Sequence, residues 1–117
     1  MSNPQHAFAE SALVDAGRHY ARLRHVLGLV ERIAGRSNGD ETTLDESARV
    51  SGAYGHASPV TQRRFDTMAA EVSGWSAAGM DALACAQDPH RPPSAAAAVL
   101  ADELDRALVQ MARLLRL

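Results

Sequence analysis

The stretch "GRHYARLRHVLGLVERIAG", residues 17–35, sets four arginines and two histidines on an otherwise apolar background. Its apolar residues are spaced rather than clustered. Ala16, Tyr20, Leu23, Leu27, Val30 and Ala34 recur at alternating intervals of four and three, which places them on one face of a helix and marks a buried seam. Upstream, Pro4 suits the first turn of a helix, and downstream Gly35 is a natural terminator because it accepts the left-handed backbone that ends a helix. The pattern predicts one long helix from about Pro4 to Ala34.

On that helix the charged groups separate from the seam. Each residue advances about 100°, so relative to Arg18 the side chain of Arg22 falls at roughly 40°, His25 at 340°, Arg32 at 320° and Arg36 at about 0°. The seam centres near 140°, so the five form a cationic stripe about 80° wide on the opposite, wet side. His19 falls near 100°, on the core side and one turn after Asp15, which predicts a partly buried imidazole bonded to that carboxylate.

The rest of the chain repeats the helical signal. "GRSNGDE" (35–41) reads as a loop. Thr43-Leu44-Asp45-Glu46 has the T-x-x-E form of a capping box and opens a short helix over 44 to about 51, with Leu44, Ala48, Ser51 and Gly55 inward. "SGAYGHASP" (51–59) reads as a helix end or a loop. Ser58-Pro59 is an N-cap followed by proline at the first helical position, starting a third helix to about Gln87. Its seam is Phe65, Met68, Val72, Trp75, Gly79, Leu83 and Ala86. The prolines of "DPHRPPS" (88–94) break it, and Ser94 is the expected cap of a fourth helix with seam Ala97, Leu100, Leu104, Leu108, Met111 and Leu115. Asp102 and Arg106 are four apart in the favourable order for an ion pair.

Composition agrees. Aromatics are 4% of the chain and β-branched residues are few, whereas Ala occurs 23 times, so strands have little to build with and helices much. The expected fold is all-α: an up-down bundle of three long helices and one short helix, in one domain over residues 1–117. All 12 basic residues are Arg, which with the Ala content suggests a GC-rich bacterial genome. A single Cys, no basic-then-apolar leader and a longest apolar run of only "AAAAVLA" (95–101) point to a reducing cytoplasm and no membrane span.

Candidate chemistry is sparse. An Asp-x-x-x-His pair could hold a metal, but the facing helices offer only Ser76 and Glu103 inward, so neither a metal site nor a cofactor is expected. Cys85 sits off the seam near a helix C-terminus, which does not favour a thiolate. There is no G-x-S-x-G, no phosphate-cradling glycine loop and no C-x-x-C. Residues 37–90 carry three Arg against eight acids, which argues against nucleic acid.

Two surfaces remain. Arg18, Arg22, His25 and Arg32 could form a docking strip for a protein partner or be a plain solvated face. On the third helix Ala70, Gly74 and Ala78 make a smooth outer face bordered by Trp75. It could be covered by the short helix, by the proline-rich loop, or by a second copy of the chain in a homodimer. The expected function is a non-catalytic interaction or adaptor protein. "HVLG" at 25–28 resembles the phosphoacceptor segment of histidine phosphotransfer domains, in which a Leu two residues after the histidine precedes Lys-Gly. The likeness covers four residues, lacks the Lys and has Gly28 one position early. It implies, as the alternative function, a phosphorelay intermediate using His25. A small ligand held near His19, Trp75 and Met80 is a third reading.

Overall fold

The computed structural model describes residues 4–36, 44–85 and 93–117, with side chains described for 16–36, 46–85 and 93–117. They form four helices: α1 (Pro4–Ile33), α2 (Leu44–His56), α3 (Pro59–Cys85) and α4 (Ser94–Leu114). Among the described residues there is no strand, and no helix is long and apolar enough to cross a membrane. The all-α bundle is an elongated body of 61 × 24 × 24 Å, because α1 and α3 run 30 and 27 residues.

The seam of α1 is buried as its spacing requires, with Ala16, Tyr20, Leu23, Leu27 and Val30 all in the core. Its C-terminus is closed by backbone geometry. Gly35 takes φ +75°, its N–H donates to Arg32 O at 3.1 Å, and the Arg36 N–H donates to Glu31 O at 2.8 Å. This is the double hydrogen bond of the Schellman cap, which satisfies carbonyls left over at a helix end. The apolar contact that often accompanies it is replaced by an ion pair: Arg36 Nε donates to Glu31 Oε2 at 3.0 Å. Arg36 therefore lies beyond the helix and leaves the stripe.

The short helix is longer than expected and turned differently. α2 continues through Gly52 and Gly55 to His56. Tertiary packing overrides their low propensity. Val50 and Tyr54 are the buried residues, while Ala48 and Gly55 are exposed. Tyr54 meets Phe65 edge to face at 5.6 Å, and its hydroxyl donates to Asp66 Oδ2 at 2.8 Å. Burial, with that carboxylate second, pushes the Tyr54 phenol up to about 12. α2 packs along α1 and crosses it at Gly17, whose N–H donates to Ser51 Oγ at 3.1 Å. A Cβ there would collide with Ser51 Oγ and the Ser47 carbonyl. The Thr43 cap and the Leu44 side chain lie outside the described residues.

Ser58 caps α3 as its Ser-Pro sequence predicts, accepting from the Thr61 N–H at 3.2 Å, an interaction worth about 1 kcal/mol. The buried face of α3 is Phe65, Ala69, Val72, Ser76 and Leu83, with Met68 and Trp75 half-buried beside it. Ala86 and the proline-rich segment lie outside the described residues. Gly79 lets Leu100 of α4 approach closely, since a Cβ would sit 2.8 Å from Leu100 Cδ2. All six seam positions expected for α4 are buried, joined by Ala101 and Ala107. Ser94 does not cap α4: it is the first helical residue, Pro93 holds the N-cap position, and no side chain caps the end. Pro93 still contributes, because its carbonyl accepts from the Ala97 N–H at 2.8 Å. Leu23, Val30, Val50, Phe65, Leu104, Leu108 and Met111 are the largest fully buried side chains.

Candidate partner-binding surface

Arg18, Arg22, His25 and Arg32 are all exposed along the outer face of α1. Their Cα positions span 14 residues, or about 21 Å of helix. Among the described residues none of the four makes a hydrogen bond or ion pair. The other two arginines of the segment are committed to the scaffold. Arg24 reaches Glu46 Oε1 of α2 at 3.4 Å, with its Nε buried and unpartnered. Arg36 joins Glu31 to α4, donating to Asp102 Oδ1 at 3.0 Å and Ala98 O at 3.2 Å. The same residue type thus does two jobs within one segment of chain. Arginines facing a neighbour are paired, and those facing outward are not.

That division corrects two expectations. Arg36 belongs to the α1–α4 junction rather than to the stripe. Asp102 gives its carboxylate to Arg36, while Arg106 donates to the Asp102 backbone carbonyl at 3.3 Å. His19 is half-buried on the core side as its angle predicts, but its observed partner is on α3. Its Nε2 lies 2.6 Å from Ser73 Oγ. The Asp15 side chain lies outside the described residues. Among the described residues no cluster of three or more His, Cys, Asp or Glu could hold a metal ion.

Among the described residues nothing covers the smooth face of α3. Ala70, Gly74, Ala77 and Ala78 are exposed, and nothing lies within 4 Å of the position of a Gly74 Cβ. α2 does not cover it, since that helix packs on α1. Trp75 is half-buried against the core at its edge. Cys85 is exposed at the end of α3. The perturbed phenols belong to the scaffold: Tyr20, like Tyr54, is raised chiefly by burial.

Two concavities have no counterpart in the sequence reading. A shallow groove of about 590 Å³ runs between α3 and α4, with Val60, Met68 and Leu114 flanked by Arg63 and Arg64. A cleft of about 430 Å³ lies where the ends of α2 and α4 meet the start of α3. Val60 and Met68, two turns apart on α3, are the sequence trace of the first. The second joins residues more than fifty positions apart and leaves no local signal.

No family model, curated protein or solved structure matches the chain.

Proposed function

We propose that this chain is a small non-catalytic interaction or adaptor module of a bacterial cytoplasm, docking through the α1 stripe onto an acidic surface of a protein partner. The observation that carries this reading is the pairing pattern. Arg24 and Arg36 are consumed by structural contacts, while Arg18, Arg22, His25 and Arg32 are exposed on one face and, among the described residues, unpaired. Guanidinium groups recognise carboxylates bidentately and are enriched in interfaces. Leu29, half-buried within the stripe, adds an apolar contact at its centre. A photo-crosslinker placed at Leu29 in cells should trap a discrete partner. Purified, that partner should lose affinity for Arg22→Glu and Arg32→Glu variants and regain it when its own acidic residues are reversed.

The open α3 face supports a further part of this reading, a homodimer in which Gly74 and Trp75 meet their own copies. Sedimentation over a concentration series should then show dimer formation, weakened by Gly74→Leu. A concentration-independent monomer removes this element.

One observation favours a second function. His25 is exposed between Arg22 and Arg32, and the space beside Gly28, about one turn on, is empty. A phosphoryl donor could approach that imidazole, and the flanking cations would stabilise the transferring oxygens. Incubation with phosphoramidate or a phosphorylated receiver domain should then give an acid-labile adduct that His25→Ala abolishes.

A further inference from the structure

We propose that the cleft between the last turn of α2, the first turn of α3 and the end of α4 binds a small organic carboxylate. Its volume of about 430 Å³ lies within the range of small-molecule sites. Ala53, Ala57, Leu114 and Leu115 supply the apolar part of its lining. His56, Ser58, Thr61 and Arg116 supply the polar part, and among the described residues no acidic one lines the cleft. A guanidinium, an imidazole and hydroxyls beside apolar side chains suit a ligand with one anionic end and one apolar end. A guanidinium offers a carboxylate two parallel donors. The site is separate from the α1 stripe and does not depend on it.

Arg116 also lies just past the C-terminus of α4, where a cation offsets the negative end of the helix dipole. That role needs no ligand, so the test must separate the two. Arg116 makes this feasible because it has φ +61°, a conformation that glycine adopts without cost. Arg116→Gly therefore deletes the guanidinium without straining the backbone, and an unchanged far-UV CD spectrum and a cooperative melt separate loss of binding from unfolding.

The experiment is an NMR titration of the full chain with hexanoate, with hexanol and inorganic phosphate as the uncharged and tail-less comparisons. Hexanoate should give saturable shifts at the Thr61 and Arg116 amides, with hexanol and phosphate each at least about tenfold weaker. Arg116→Gly should weaken hexanoate about tenfold in a chain that stays folded, and His56→Gln should weaken it less. Failure of hexanoate to saturate below about 10 mM, equal binding by phosphate, or unchanged affinity in Arg116→Gly overturns the proposal.

Discussion

The Gly17 N–H of α1 donates to Ser51 Oγ of α2 at 3.1 Å, at a crossing with no room for a Cβ. Helix propensity alone says that Gly→Ala in a helix interior gains about 1 kcal/mol. At Gly17 the crowding at the Ser47 backbone opposes that gain. We expect Gly17→Ala to destabilise the fold by about 1–3 kcal/mol in urea unfolding. Gly28→Ala and Gly52→Ala, where nothing lies within 4 Å, should stabilise it by up to about 1 kcal/mol. The same sign at all three positions would show that α2 does not cross α1 here.

Arg36 ties the end of α1 to α4, and its two carboxylate partners differ in exposure. The Glu31 side chain is 11% exposed, that of Asp102 59%. Stranding a buried carboxylate is costly, whereas losing a solvated ion pair is not. Arg36→Met should therefore lower Tm clearly more than Asp102→Asn does, and adding Glu31→Met to Arg36→Met should recover much of the loss. Equal effects of the two single changes would place the weight of the junction on Asp102 instead.

Tyr54 gives the fold an alkaline limit. Its phenol is pushed up to about 12 by burial and by Asp66, against an ordinary value of about 10 in the unfolded chain. Between those values the unfolded chain releases a proton that the folded chain keeps. The stabilisation is thus complete below about pH 10 and is lost as pH rises toward 12. Unfolding free energy measured over pH 9–12 should fall with pH. Tyr54→Phe should reduce that slope, leaving what Tyr20 contributes, and should cost about 1 kcal/mol at neutral pH.

The His19–Ser73 contact joins α1 to α3 at 2.6 Å. A double-mutant cycle of His19→Ala and Ser73→Ala should give a coupling energy of about 0.5–1.5 kcal/mol. Additive effects would mean that the pair contributes nothing as a pair.

What could be read from the sequence follows from how local each feature is. The faces of α1 and α4 were legible because Leu23, Leu27 and Val30, like Leu100, Leu104 and Leu108, repeat with the helix period. Ser58 was legible because a cap acts on its own next turn. The far end of α2 was not, because Tyr54 is fixed by Phe65 and Asp66, eleven and twelve residues away, which outweigh two unfavourable glycines. Helical angles extended past Gly35 place Arg36 in the stripe, but the left-handed residue turns the chain there and sends the side chain to α4. The exposure of Arg18, Arg22, His25 and Arg32 followed from angle alone. The commitment of Arg24 to α2 and of Arg36 to α4 depends on tertiary structure.

The central claim is that the unpaired cations of α1 form the docking surface. It is tested most directly by the affinity of the partner trapped at Leu29 for the wild-type chain and for an Arg18→Glu/Arg22→Glu/Arg32→Glu variant at physiological salt. The expected result is a folded variant with at least about tenfold weaker binding, and a wild-type affinity that declines as salt rises. Undiminished binding by a folded triple variant would contradict it.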